Sequence, residues 1–495
     1  MSIADLDRND SRELRADFDL NRRFNHGREF VRAGFGGTLV RRAIRRHRIR
    51  RSPSFKRVVR IAGMMGQAPD HSLPQQHKEW SELLAAYRFL HNAKTTPDRI
   101  QSVHRASVRQ DCQTRSLVLA LQDTSELDFT GRVVDGLGPI GNGNGQGLLQ
   151  HSTLAMDPRG RLLGVLHQIW RLRVPAPEGE TRAQRLQRPR ESDFWPDSVH
   201  AVGSLGTATR IIHVTDRGGD GFGTLTACQA QDNVGFLIRA QHDRRVNGGT
   251  DKLWSFMEKQ PVTGHRDVPI EYRAGHERRI ARVSIRFAQV RLDPPKQDPR
   301  FKEPIDVWAV YALEESAPDD VEPIEWMLLT SEAVNTPADA GARLDWYGLR
   351  WMVEEFHKAE KSGCRLERVQ LKTAAAITNW AALVAVMAVR LIQLRDMAQE
   401  AVSDETDDTS SPAHKPETLR TVVPRSWVLV VAKLAKCDWI ELTPHRFWLT
   451  LAKRGGYLAR SNDGPPGWSA IWRGWYDIML MVQGFELLGQ AEEDK

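Results

Sequence analysis

The segment DWYGLRWMVEEFHKAEK, from Asp345 to Lys361, is the stretch of sequence that decides the fold. Placed on a helix at about 100° per residue, it separates into a polar face and an apolar face. The polar face carries aromatic rings and cations around one carboxylate: Tyr347, Arg350, Trp351, Glu354, Lys358 and Lys361. The apolar face, which we expect to pack on a core, consists of Leu349, Met352, Val353 and Phe356. The polar set suits a phosphodiester held beside a metal-binding acid, although an ordinary amphipathic helix with Glu–Lys ion pairs has the same pattern.

The spacing of four of these residues helps to decide between a phosphodiester-binding site and an ordinary amphipathic helix. Tyr347, Arg350, Glu354 and Lys361 read Y-x2-R-x3-E-x6-K, and the run EEFHK begins at Glu354. This resembles the YREK signature of bacterial insertion-sequence transposases of the IS-four group, the Tn-five type. The resemblance implies an α/β fold, with a ribonuclease-H-like mixed sheet flanked by helices. It also implies a carboxylate triad that holds Mg²⁺, for which Mn²⁺ can substitute.

Two aspartates supply the other carboxylates that such an enzyme needs. The apolar run SLVLALQD predicts a buried strand that ends at Asp123, and RIIHVTD predicts a second strand that ends at Asp216. The segment DRGGDGF, which begins at Asp216, resembles the family's DREADIY. An aspartate at a strand end is often only a turn former or a helix cap. Together with Glu354, however, the two make a predicted catalytic and metal-binding triad, because paired cations held by carboxylates activate both oxygens in phosphoryl transfer.

Three further residues are predicted to contact DNA. Arg239 resembles a DNA-contacting arginine of the family, and a surface arginine at a strand end is the alternative. Trp326 stands where the family has its base-stacking tryptophan, but the alternation of Ile324, Trp326 and Leu328 also fits a core residue. Trp351 is the second candidate for base stacking, since an aromatic face supports any base.

Composition agrees with a soluble DNA-binding protein. The chain has 495 residues, a net charge of +7 and a pI of about 9.3, so a polyanionic partner such as double-stranded DNA is expected. Its four cysteines form no CxxC pair, which argues against a zinc site and a secreted disulfide scaffold and favours the cytoplasm. No signal peptide is recognised. The longest apolar run, Trp380 to Val389, is too short to span a bilayer, so no membrane partner is expected.

The chain divides into six predicted regions. In order, they are a basic DNA-end-binding region (1–71), the first part of the catalytic core (72–241), a β-rich insertion (242–333), the second part of the core with the YREK helix (334–401), a linker (402–424) and a helical dimerisation region (425–495). Residues 174–200 are predicted to form a loop, and Thr373 to Ala401 a long helix.

The N-terminal region departs from the family. Half of the twenty residues from Arg41 to Arg60 are Lys or Arg and none is acidic, which predicts an arm that contacts DNA. The family's LGDxRRTxRLV-like helix is matched only in its last few residues. A disordered basic tail without a specific partner is the alternative.

The expected function is cut-and-paste DNA transposition by a homodimer that pairs two transposon ends. The resemblance implies nicking, hairpin formation, hairpin opening and strand transfer into target DNA. Two other functions remain open from the sequence. One is a catalytically silent, inhibitory relic of a transposase that still binds DNA; the other is a structure-selective nuclease of the ribonuclease-H-like superfamily.

Overall fold

The computed structural model describes residues 53–493, apart from 68, 78, 182–183, 186–187, 250, 271–278, 297, 319–320, 404–418, 420–422, 424, 461–462 and 464–465. The predicted basic arm up to residue 52 and most of the predicted linker therefore lie outside the described residues. The chain forms two compact units. The sheet unit consists of His104–Ala359 and Leu371–Thr378. The helical unit consists of the described residues before His104, of Glu360–Gln370, and of the chain from Asn379 onward.

Helices and strands are numbered in chain order. The helices are α1 (Pro53–Gln67), α2 (Leu73–Gln76), α3 (Trp80–Leu90), α4 (Pro97–Cys112), α5 (Phe194–Val202), α6 (Phe222–Gln229), α7 (Leu253–Glu258), α8 (Pro337–Gly348), α9 (Trp351–Lys358), α10 (Ala374–Ser403), α11 (Arg425–Ala435), α12 (Pro444–Arg454) and α13 (Trp468–Glu493). The strands are β1 (Leu117–Asp128), β2 (Gly138–Ile140), β3 (Gly145–Met156), β4 (Leu162–Arg171), β5 (Arg210–Thr215), β6 (Val234–Arg239), β7 (Arg245–Val246), β8 (Asp251–Lys252), β9 (Gly264–Ile270), β10 (Arg279–Leu292), β11 (Ile305–Glu314) and β12 (Glu325–Thr330).

One mixed sheet organises the sheet unit. Its order is β2-β3-β1-β5-β6-β12-β11-β10-β7-β8, with β4 also paired to β3 and β9 also paired to β10. The central strands β1, β5 and β6 are parallel, whereas β3 and β12 pair with them in the antiparallel direction. Parallel strands need both faces covered, and the apolar runs of these three strands are buried accordingly. The predicted mixed α/β fold is confirmed.

The hydrophobic core lies between these strands and the helices that pack on them. Val118 and Ile211 on the sheet share one buried cluster with Val199 of α5 and Leu225 of α6. Helix α5 buries one apolar face, whereas most residues of α6 are buried, including Phe222. This core holds the ends of β1 and β5 in fixed positions.

The β-rich segment before residue 333 continues the same sheet. Strand β12 pairs with β6, with Leu328 opposite Arg239, and β11 and β10 follow outward. The strands expected from the sequence in this segment are present among the described residues, and they extend the central sheet. The domain boundaries predicted from the sequence remain predictions.

The segment from Asp345 to Lys361 is not the single helix that we expected. Helix α8 ends at Gly348 and α9 begins at Trp351, and a π-helical turn, Ala359–Gly363, follows. Glycine lowers helix stability by about 1 kcal/mol relative to alanine, which favours a break at Gly348. Tyr347 lies in the last turn of α8 and is only 5% exposed, so its ring packs in the core.

Two other predictions are corrected. Strand β1 does not end at Asp123, because its pairing with β3 continues to Asp128 opposite Gly147. The predicted loop 174–200 contains the start of α5, which is held by the buried rings of Phe194 and Trp195. Its proline-rich and polar composition concealed this short amphipathic helix.

The helical unit agrees with the sequence. Helix α10 covers the predicted long helix, and α11, α12 and α13 form the predicted helical tail. The rings of Trp427 and Trp475 pack with centroids 4.8 Å apart. Within the described residues, the segment Ala374–Gln393 is long and apolar enough to cross a bilayer, but most of it is buried inside the protein, as is usual for a core helix.

Candidate active site

Asp123 lies in the middle of the sheet, on the central strand β1. Its side chain is 19% exposed, and its Oδ1 accepts a hydrogen bond of 2.8 Å from the Thr124 backbone N–H. Burial raises the pKa of Asp123, and the nearby charge of Asp216 raises it further, whereas His357 and Arg350 act in the opposite direction. Asp123 is therefore a carboxylate whose charge needs compensation.

Asp216 follows the parallel neighbour β5. Its carboxylate caps the 3₁₀ turn Arg217–Gly219 by accepting a bond of 2.9 Å from the Gly218 N–H. In the parallel register Leu121 lies opposite Val214. Asp123 and Asp216 each follow two residues after this last paired position, the first still within β1 and the second in the turn after β5. The charge of Asp216 raises the pKa of Asp123, so the fold places the two aspartates near each other.

Glu354 reaches this pair through Arg350. The Arg350 guanidinium donates a hydrogen bond to Glu354, and its Nη1 lies 3.6 Å from Asp123 Oδ2. Burial opposes the charge of Arg350, but Tyr347, Glu354 and Asp123 together raise its pKa above the usual value. In this structure the guanidinium is an ion-pair partner of two carboxylates, and its phosphate contact stays a prediction.

The carboxylate oxygens at this site are suited to a divalent cation. Among the described residues, no group of three or more His, Cys, Asp or Glu side chains is arranged to hold a metal ion. The chemistry nevertheless fits, since carboxylate oxygens are the ligands that Mg²⁺ prefers. The repulsion between Asp123 and Asp216 is also what a cation relieves. Arg350 supplies positive charge to two of the three carboxylates in this structure.

A buried polar layer lies directly beside Asp123, and sequence analysis missed it. Gln122 donates to His213 Nδ1 (2.6 Å) and accepts from His151 Nε2 (3.0 Å). This leaves His151 Nδ1 to accept from the Thr124 hydroxyl at 2.7 Å. Burial keeps both rings neutral by lowering the pKa of His151 well below its usual range and that of His213 to about 3. His151 within β3 and His213 within β5 were the sequence features that could have indicated this buried polar layer.

Tyr347 and Trp326 form an aromatic pair. Their ring centroids are 5.1 Å apart in an edge-to-face arrangement. Trp326 is partly exposed on β12, whereas Tyr347 is buried. The predicted phosphate contact by Tyr347 stays a prediction. Arg239 donates to the Glu325 carbonyl at 2.9 Å, which ties β6 to β12.

The remaining predicted DNA-contacting residues are more accessible. Trp351 is 43% exposed on α9. Lys358 is exposed on the same helix and lies 3.4 Å from Glu355. Lys361 belongs to the helical unit, where it pairs with Glu367 at 3.4 Å. The structure therefore joins Glu354 and Arg350 to Asp123, and the DNA-contacting roles remain predictions.

Comparison with known proteins identifies two regions of the chain. Residues 54–95 match the family described as Transposase DNA-binding, and residues 187–390 match the family described as Transposase DDE domain. These matches indicate a DDE-type transposase. The second match contains Asp216 and Glu354, and it supports a DNA-processing enzyme of a class that generally uses divalent metal ions. The first supports DNA as a partner. Neither match distinguishes the IS-four group.

A solved structure with a detectable likeness is the piggyBac transposase synaptic complex with hairpin DNA, determined by cryo-electron microscopy. The identity is 10% and the TM-score 0.31, over 82% of this chain. The chain spans 65% of the length of that protein chain.

Proposed function

We propose that the protein is a cut-and-paste DNA transposase of the IS-four, YREK type, with a ribonuclease-H-like core. Asp123, Asp216 and Glu354 are its catalytic carboxylates. The observation that carries this proposal is the placement of Asp123 on β1 and of Asp216 directly after the parallel neighbour β5, close enough for the charge of Asp216 to raise the pKa of Asp123, with Arg350 linking Asp123 to Glu354. The match to the DDE domain supports it.

The three carboxylates hold Mg²⁺ or Mn²⁺ in the active enzyme. Bound there, the cations stabilise charge on the attacking and leaving oxygens of the phosphodiester. The chain itself holds the acids in place through the Thr124 N–H and the Gly218 N–H. With the carboxylates compensated by metal, Arg350 becomes available as a bidentate donor to phosphate. Its neighbours on the exposed side of α9, Trp351 and Lys358, contact the same DNA end.

The reaction proceeds by nicking, hairpin formation, hairpin opening and strand transfer. A hairpin at a blunt end forces at least one base out of the stack, which costs a few kcal/mol. Stacking on an aromatic side chain recovers roughly 1–3 kcal/mol per base. The ring of Trp326 supplies that surface, and the ring of Tyr347 packs against it edge to face.

The active unit is a homodimer in the cytoplasm, formed through the C-terminal helix. Four large apolar side chains between the middle and the end of α13 are exposed, namely Leu480, Phe485, Leu487 and Leu488. Exposed apolar groups that lie close together are typical of a protein interface. Pairing two subunits in this way lets each active site act only after both transposon ends are bound.

The proposal is tested with purified protein and a plasmid that carries the element and its flanking DNA. We expect nicks at the element's ends in Mg²⁺ or Mn²⁺, followed by hairpin ends on a denaturing gel, and no cleavage with EDTA. Glu354→Gln should bind the same DNA without cutting it, because binding depends on the positively charged Lys and Arg side chains, which this substitution leaves in place. Cleavage that persists in EDTA or in Glu354→Gln would contradict the proposal. DNA binding by the wild type without any cleavage would instead support an inhibitory relic.

A further inference from the structure

The turn that carries Asp216 contains two consecutive glycines. Gly218 and Gly219 occupy the 3₁₀ turn Arg217–Gly219, and Asp216 caps it through the Gly218 N–H. Neither glycine has a positive φ, so backbone conformation alone does not demand glycine here. The sequence resemblance pairs this segment, DRGGD, with a family motif that has larger residues at both positions.

Space explains both glycines. A Cβ at Gly218 would lie 2.6 Å from Trp195 Cζ2, 2.8 Å from Trp195 Cη2 and 3.1 Å from Asp216 Oδ1. A Cβ at Gly219 would lie 2.2 Å from Thr215 Oγ1, 2.5 Å from Thr215 Cβ and 2.8 Å from Trp195 Cδ1, so Thr215 is the nearer obstacle at that position. The indole of Trp195 therefore lies flush against the backbone of the turn, closer than any side chain could allow.

The same indole contacts His151, which is connected to Asp123 through Thr124. The ring centroids of Trp195 and His151 are 5.1 Å apart, edge to face. His151 accepts from the Thr124 hydroxyl, and the Thr124 N–H donates to Asp123 Oδ1. Trp195 is 8% exposed, and its close packing leaves it little freedom to move.

We propose that Trp195 is a positioning residue that fixes the Asp216 turn relative to Asp123, and that Gly218 is required because it admits the Trp195 ring. The inference rests on the proposed function, in which both aspartates bind a divalent cation. The Trp195 ring packs against the turn that holds Asp216 and against His151, which hydrogen-bonds to the residue after Asp123. Its position therefore sets the distance between the two predicted metal ligands. Supporting residues of this kind typically change metal affinity by 10–100-fold when they are altered.

The test measures Mn²⁺ binding to the full-length protein by electron paramagnetic resonance of the free ion, with thermal unfolding followed in parallel. Gly218→Ala should weaken Mn²⁺ binding roughly tenfold. Gly221→Ala is the matched control, because the nearest atom to its new Cβ is Thr224 Oγ1 at 4.0 Å. It should bind Mn²⁺ like the wild type.

A second variant separates positioning from misfolding. Phenylalanine lacks Cζ2 and Cη2, the atoms that a Gly218 Cβ would strike. Trp195→Phe alone should weaken Mn²⁺ binding by less than Gly218→Ala does, with the fold retained. Gly218→Ala combined with Trp195→Phe should then bind no worse than Trp195→Phe, since the clash is gone and the two effects are not additive.

The outcomes are distinguishable. Wild-type affinity in Gly218→Ala, or a double variant as weak as Gly218→Ala alone, would overturn the positioning role and leave the proposed function standing. If Gly218→Ala does not fold, Trp195→Phe decides, because unchanged Mn²⁺ affinity in that folded variant would also overturn it. Failure of the wild type to bind Mn²⁺ better than Asp216→Asn would overturn the proposed function itself, and this inference with it.

Discussion

Asp123 shows what a buried carboxylate costs the fold. Its pKa is raised by burial and by Asp216. An acid whose pKa is higher in the folded state favours folding below the unfolded pKa, about 3.9. This contribution to the free energy of unfolding is lost as the pH rises through the pKa of Asp123 in the folded state, because the unfolded state then releases its proton more readily. At neutral pH the charged Asp123 therefore destabilises the metal-free protein.

Asp123→Asn should accordingly raise the melting temperature of the metal-free protein at pH 7 and abolish cleavage. A gain of 1 kcal/mol corresponds to about 2–4 °C in a domain of this size. The gain should disappear below about pH 4, where the carboxyl group is neutral in both states. Differential scanning fluorimetry across this pH range is the measurement, with Asp306→Asn as a control on an exposed aspartate of β11. A lower melting temperature for Asp123→Asn at pH 7 would contradict the account.

At the residue scale, the sequence predicted three carboxylates but not the contacts between them. The structure brings Asp123 near Asp216 and links it to Glu354 through Arg350, and the catalytic roles of the three stay predictions. The helical wheel could not show that Arg350 faces Asp123, because that contact depends on which strand lies opposite the helix. Nor could it reveal Trp195, whose role depends on a turn that is distant in sequence and whose two glycines lack side chains.

At the scale of elements, apolar runs predicted the central strands well, because parallel strands buried on both faces contain little else. The YREK helix was predicted less well. The apolar residues Met352, Val353 and Phe356 are buried as expected, but Gly348 ends the preceding helix. Gly348 indicated that the helix could end there, but the apolar periodicity on both sides of it favoured one continuous helix.

The pair of Trp326 with Tyr347 leads to a prediction about strand β12. Trp326→Ala should fold and nick DNA at the normal rate but accumulate nicked product, because hairpin formation loses the aromatic surface for the flipped base. An abasic site at the flipped position should partly restore the variant. Trp308→Ala, which alters a partly buried ring on the neighbouring strand β11, should lower stability without changing the ratio of hairpin to nick. Equal losses of nicking and hairpin formation in Trp326→Ala would identify a core residue instead.

At the scale of the whole molecule, the exposed apolar side chains of α13 predict a dimer. Leu487→Glu combined with Leu488→Glu should give a folded monomer that binds one DNA end and does not cut, because burying new charges opposes association. Light scattering after size exclusion measures the mass, and Leu172→Glu is the control at an exposed leucine outside the predicted dimerisation region. A double variant that still dimerises and cuts would remove α13 from the interface.

The central claim is that Asp216 binds the catalytic metal ion. The most direct measurement compares cleavage by Asp216→Cys in Mg²⁺ and in Mn²⁺ on the same plasmid. Thiolate is a poor ligand for hard Mg²⁺ and a better one for softer transition metals. We predict that Asp216→Cys cuts poorly in Mg²⁺ and recovers activity in Mn²⁺, while the wild type cuts in both. Cleavage by Asp216→Cys in Mg²⁺ at the wild-type rate would contradict the account.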